Sequence, residues 1–183
     1  KPISQRITKI TGITNHMLLQ HGVSAKTACR LFWSWLRPLQ PVILVGHNIK
    51  TFDMPFLIKL YQDSGILSML QYRGIIDTLL ILKQVKSLTT RKLGHVYEVV
   101  FDHKFENAHR ANADAKALQD IVLSAWFTDK FPSIDRFMIN QKCMTELYWE
   151  RYIRLSKMCE YYNFCPRCHG PISPYFRHVH ALS

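Results

Sequence analysis

The chain has 183 residues, 48% hydrophobic and 12% aromatic, and its 24 Lys and Arg against 13 Asp and Glu leave a net charge of +11. That size and apolar content predict one folded domain with a sizeable core and exclude a disordered chain. No apolar run is long enough to span a bilayer, and the opening Lys1-Pro2-Ile3-Ser4-Gln5-Arg6 lacks a signal-peptide apolar region.

The basic excess suits a polyanionic partner, most often nucleic acid. Five cysteines, an odd number, fit a reducing intracellular setting (nucleus or cytoplasm) or a metal site better than a disulfide framework.

In chain order, Ile7-Thr8-Lys9-Ile10-Thr11-Gly12-Ile13-Thr14 reads as a glycine turn flanked by threonines. A helix is predicted from Ser24 to Leu36. Ser24 can cap it, Ala25, Ala28, Cys29, Phe32, Trp33 and Leu36 recur at helical spacing, and Pro38 stops it. Cys29 reads as a small core hydrophobe, and Trp33 and Trp35 as packing residues. Pro41 to Val45 is β-rich. A helix begins at Asp53, with Pro55 suiting its first turn. It turns Phe56, Leu57, Leu60 and Tyr61 inward and ends near Gly65.

Gly74-Ile75-Ile76-Asp77-Thr78-Leu79 reads as the next buried strand, running into a helix from about Thr78 to Lys86, with Asp77 as its cap. Ser87 to Lys92 is a polar, basic loop or helix start. Leu93, Val96, Tyr97 and Val100 follow helical spacing, although Val99-Val100 also suits a strand. After the loop from Phe101 to Asn107, one long helix is predicted from Asn107 or Ala108 to Phe127. Its Ala108, Ala111, Ala113, Ala115 and Ala117 allow close packing. Asp129 to Ser133 reads as a linker. Residues 1–130 form one domain and 131–183 a helical extension, where Tyr148 to Leu155 interleaves aromatics and bases on a snorkelling face.

Two stretches carry chemistry. Leu44-Val45-Gly46-His47-Asn48-Ile49-Lys50-Thr51-Phe52-Asp53-Met54-Pro55 takes a strand through a polar loop into a helix. It lifts the Asp53 carboxylate to the mouth of a sheet, where open α/β folds place their ligands. The second is His109-Arg110-Ala111-Asn112-Ala113-Asp114.

Together these resemble the second and third motifs of the DEDDh (DnaQ-like) 3′→5′ exonucleases. The second motif, HN-x-x-x-FD, is met by His47, Asn48, Phe52 and Asp53. The third, a histidine five residues before an aspartate, is met by His109 and Asp114. The resemblance spans residues 5 to 127 and looks strongest toward animal three-prime repair exonucleases and the exonuclease-like domain of some promyelocytic leukaemia protein forms. Bacterial proofreading domains share the I-T-G-I-T turn. It implies a ribonuclease-H-like α/β fold, a mixed sheet flanked by helices, here lacking its N-terminal strands.

The resemblance also implies roles. Two Mg²⁺ or Mn²⁺ ions would assist hydrolysis of DNA or RNA from single-stranded 3′ ends, releasing nucleoside monophosphates. Asp53 would hold the ion on the leaving-group side, Asp114 the ion that binds the attacking water, and His109 would be the general base. In one continuous helix positions i and i+5 point about 140° apart, so His109 belongs at the entry to the helix and Asp114 in its body. Thr11 and Gly12 would offer substrate-facing backbone, with His47, Asn48, Lys50 and Arg110 as further substrate contacts. Lys50, Arg91, Lys92 and Arg110 are candidate phosphate contacts. The family's first motif, Asp-x-Glu, does not occur in the sequence. Either an upstream segment or partner chain supplies it, or the chain is an incomplete exonuclease-like module that binds nucleic acid or protein.

The tail carries a separate expectation. Cys159, Cys165, Cys168, His169, His178 and His180 crowd together, and Cys165-Pro166-Arg167-Cys168 forms a CxxC knuckle that presents two thiolates to one ion. A structural Zn²⁺ would be held by Cys159, Cys165, Cys168 and His178, with His180 as the alternative fourth ligand.

Overall fold

A computed structural model describes residues 2–105, 111–144 and 146–148. Two short helices open the chain, α1 (Gln5–Thr11) and α2 (Asn15–His21). The Ser4 hydroxyl caps α1 and the Thr14 hydroxyl caps α2, each satisfying an N–H that the helix leaves free. The predicted turn is therefore narrower than the I-T-G-I-T string. Ile7 to Thr11 is helical, and the reversal falls on Gly12, whose φ of 73° ends α1 in a conformation that glycine adopts without steric cost. The Asn15 side chain clamps both backbone groups of Ile3, accepting from its N–H and donating to its carbonyl.

Helix α3 (Ala25–Leu36) starts at its Ser24 cap as predicted and buries Cys29 and Leu36. Trp35 corrects the packing expectation: it points outward and lies against Phe32, because a residue six positions after Cys29 falls on the other side of a helix.

Strand β1 (Ile43–Gly46) leads through residues 47–52 into α4 (Asp53–Asp63). The inward face of α4 is Met54, Ile58 and Tyr61, whereas Phe56 and Leu60 are exposed. Only Tyr61 of the predicted inward set is fully buried, and its hydroxyl donates to the Cys29 carbonyl at 2.6 Å, tying α4 to α3.

Strand β2 (Gly74–Asp77) is buried along its whole length, and Asp77 caps α5 (Thr78–Leu82) as the sequence suggested. That helix stops before Lys86, its end tightened by i→i+3 bonds from Gln84 and Val85. Helix α6 (Leu93–Phe101) settles the Val99-Val100 ambiguity in favour of helix.

The predicted long helix is two, α7 (Ala111–Leu123) and α8 (Ala125–Lys130). Ser124 breaks it. Its backbone is extended, and its hydroxyl donates to the Ile121 carbonyl while accepting from Phe127 N–H. A serine that satisfies local backbone groups in this way competes with helix continuation.

Strand β3 (Ile139–Asn140) completes a sheet in the order β1-β2-β3. The β1–β2 pair is parallel, with Gly46 opposite Asp77, and β2–β3 is antiparallel. The sheet is mixed and flanked by helices, consistent with the ribonuclease-H-like expectation. The main core joins Ile76 of β2 to Ile81 and Leu82, Val96 of α6, Ile121 of α7 and Phe127 of α8.

Residues 1–141 form one compact unit, and a second begins at Lys142. Within the second, Lys142 and Glu146 are 4.0 Å apart one helical turn from each other. Among the described residues no helix is long and apolar enough to cross a membrane. The tail ligands proposed for zinc, Cys159, Cys165, Cys168 and His178, lie outside the described residues.

Candidate active site

The loop between β1 and α4 is built by close approach. A Cβ on Gly46 would sit 2.5 Å from the Cβ of Ile49, so only glycine lets the chain fold back this tightly. Asn48 takes the next unusual step, at φ 70°, a left-handed conformation that asparagine tolerates better than most residues. Its carbonyl then accepts from Thr51 N–H at 3.2 Å and Phe52 N–H at 3.0 Å, while the Thr51 hydroxyl donates to its side-chain oxygen. The Ile49 carbonyl accepts from Met54 N–H at 2.9 Å. This loop sets the entry to α4 and places Asp53 at its N-terminus, at the carboxyl end of β1, with an exposed side chain.

The neighbouring strand holds the loop from below. Asp77 is 3% exposed, too buried to depend on water. Its Oδ1 accepts from Asn48 N–H at 2.9 Å and Leu79 N–H at 3.0 Å, and its Oδ2 from Lys50 N–H at 3.1 Å. The sequence reading assigned Asp77 only the cap of α5. The legible signal for more was a carboxylate closing an apolar strand, since a buried charge needs several donors.

His47 forms a second strap. Its Nε2 lies 2.7 Å from the Arg91 carbonyl and its Nδ1 3.0 Å from the Thr78 hydroxyl. A carbonyl only accepts, so Nε2 carries the proton, while the Thr78 hydroxyl lies within hydrogen-bond reach of both Nδ1 and the Gly46 carbonyl, to which it donates at 3.3 Å. Burial lowers the imidazole's pKa, against the opposing pull of the Arg91 carbonyl and the Asp77 charge. Both ring nitrogens are therefore occupied inside the fold. The Arg91 guanidinium also turns inward, donating through Nη2 to the Val85 carbonyl at 3.2 Å.

Loss of hydration raises the pKa of Asp53. Its own backbone N–H pulls the other way, and the charge of Asp77 adds to the rise. The Asp77 carboxylate, by contrast, is already met by three backbone N–H groups.

The structure brings His47, Asn48, Lys50 and Asp53 together around Asp77, Thr78 and Arg91. Thr11 ends α1 and Gly12 caps it, and their hydrogen bonds stay within residues 7–13. Asp114 sits in the first turn of α7 and is half-buried. His109 and Arg110 lie outside the described residues. Among the described residues, no group of three His, Cys, Asp or Glu side chains is arranged to hold a metal ion.

This strand–loop–helix site lies inside a family match. The chain is a member of the RNase_T family, described as exonuclease, whose match covers residues 1–122. Membership identifies residues 1–122 as an exonuclease-family domain. The curated relatives it matches include PolC-type DNA polymerase III of Ureaplasma parvum, 29% identical over 82% of this chain. Those of Mycoplasma genitalium and Mycoplasma pneumoniae are 28% and 27% identical over 80% and 66% of it. The chain spans 10%, 10% and 8% of these relatives' lengths, so what they do as whole proteins carries over only as proposal.

Proposed function

We propose that this chain contributes to a metal-dependent 3′→5′ exonuclease that shortens single-stranded DNA or RNA ends to nucleoside monophosphates. The observation that carries this reading is Asp53, an exposed carboxylate at the start of α4, on a loop that the buried Asp77 anchors at one end of a parallel strand pair. The donor chemistry fits Mg²⁺ or Mn²⁺, which need only one or two carboxylates and keep several waters. Asp53 and Asp114 would hold two such ions, which supply charge stabilisation to the attacking and leaving oxygens. His109 accepts the proton of the attacking water, as a neutral imidazole can near pH 7. Lys50, Lys92 and Arg110 draw the phosphate backbone to the site, and Thr11 and Gly12 border the terminal nucleotide. Two-ion hydrolysis also needs the Asp-x-Glu pair, from another segment or polypeptide. A structural Zn²⁺ would be held by Cys159, Cys165, Cys168 and His178 in the C-terminal extension.

The absence of Asp-x-Glu from the sequence favours one second reading, an exonuclease-like module that binds nucleic acid or a protein partner without cutting. The natural polypeptide is incubated with 5′- and 3′-end-labelled oligonucleotides, with Mg²⁺, Mn²⁺ or EDTA. The first reading expects metal-dependent release of the 3′ label as mononucleotide and a stepwise ladder from the 5′-labelled strand. Retention of intact oligonucleotide that weakens with salt would replace it by the binding module, since phosphate contacts release counterions.

A further inference from the structure

We infer that Asp77 is a positioning residue for Asp53, holding the β1–α4 loop through backbone N–H groups of Asn48 and Lys50 in addition to capping α5. The inference rests on Asp53 being the metal-holding carboxylate of the proposed reaction. A chain of contacts connects the two residues. The Asp77 carboxylate grips Asn48 N–H and Lys50 N–H, on either side of Ile49. The carbonyls of Asn48 and Ile49 in turn accept from Phe52 N–H and Met54 N–H, on either side of Asp53. Each backbone group flanking the carboxylate is therefore two hydrogen bonds from Asp77. Asn48 needs such a hold, because its φ of 70° is a conformation the chain adopts at a cost when nothing fixes it. The same carboxylate caps α5 through Leu79 N–H, so loop and helix share one anchor at the end of the buried strand β2. Three donors on one buried carboxylate are more than a helix cap requires.

Capping and positioning can be told apart, because serine caps helices about as well as aspartate but is too short to reach two more amides. Amide hydrogen exchange would be measured by NMR on the full chain as wild type, D77S and D77N. Positioning predicts that D77S speeds exchange at Asn48, Lys50, Phe52 and Met54 by at least about tenfold, since hydrogen bonds to a charged group are lost. Val96 and Ile121 keep their rates. D77N, which keeps one oxygen near Asn48 and Leu79 but offers an N–H toward Lys50, falls between the two. Unchanged loop exchange in D77S would reduce Asp77 to a cap. Equal loss of protection in loop and core would make it a general stability element. Either result overturns the inference.

Mn²⁺ titration followed at the Asp53 amide supplies the second readout. Wild type broadens at low Mn²⁺, and D77S requires about tenfold more, as for other groups that orient metal ligands. If wild type itself shows no broadening, the metal reading of Asp53 falls, while the exchange pattern still decides the tether.

Discussion

Substituting Gly46 by alanine tests the construction of the site at its tightest point. The added Cβ would lie 2.5 Å from the Ile49 Cβ, 2.9 Å from its Cδ1 and 3.0 Å from its Cγ1. The first contact is about 1 Å inside a comfortable carbon separation. It falls on the atom of Ile49 that no rotamer change can move. Ile49 is itself buried, so relief requires the backbone of residues 46–49 to shift. Overpacking of this kind costs about 1–3 kcal/mol, offset by about 0.4–1 kcal/mol from the less flexible unfolded chain. A net loss of about 1–2 kcal/mol should lower the urea midpoint by roughly 0.5–1 M at the slopes usual for small proteins. I49A does not rescue G46A, because alanine keeps the offending Cβ. A midpoint unchanged by G46A, or full rescue by I49A, would refute the claim that close approach of backbone and Cβ demands glycine here.

Three further outcomes follow from the same geometry. His47 has a folded pKa lowered by burial, so its contribution to stability is present above its unfolded value of about 6.5 and is lost as pH falls through the folded one. H47N should flatten this acid-side decline in thermal melts between pH 7 and 5, and an unaltered slope would contradict the assigned strap. Asp53 has a raised folded pKa, so its relative stabilisation is present below the unfolded value and lost as pH rises through the folded one. At neutral pH D53N should leave the melting temperature unchanged or higher while abolishing metal-dependent digestion, and a clear drop in melting temperature would argue for a structural carboxylate. Y61F removes the buried bond to the Cys29 carbonyl and should cost about 1 kcal/mol in urea unfolding; no change would mean that the carbonyl finds another donor.

Local signals were the most legible. Ser24 before an apolar helical pattern, a β-rich run ending at Gly46, and Asp53 followed by Pro55 each specify a start or stop within a few residues. The structure has α3, β1 and α4 at those places. Such signals act through the chain's own backbone, so no distant partner alters them. Which face of a helix is buried was less legible. Phe56 and Leu60 share the apolar character of Met54 and Ile58, and only the placement of α4 against α3 selects between them. Ser124 was misjudged because its apolar surroundings continue a helical pattern, while its hydroxyl satisfies backbone groups on both sides.

The sequence by itself determined the family, through a resemblance carried by His47, Asn48, Phe52 and Asp53 along a strand–loop–helix string and by His109 and Asp114 beyond it. Their tertiary roles could not be read from spacing. Asp77 lies 24 positions beyond Asp53 in sequence, yet its carboxylate fixes the loop that presents it. His47, read as a substrate contact, spends both ring nitrogens on Thr78 and Arg91, 31 and 44 residues away. The physical reason is common to both. A buried polar group must find its partners wherever the fold brings donors and acceptors together, and only the register of β1 against β2, Gly46 beside Asp77, decides which ones those are.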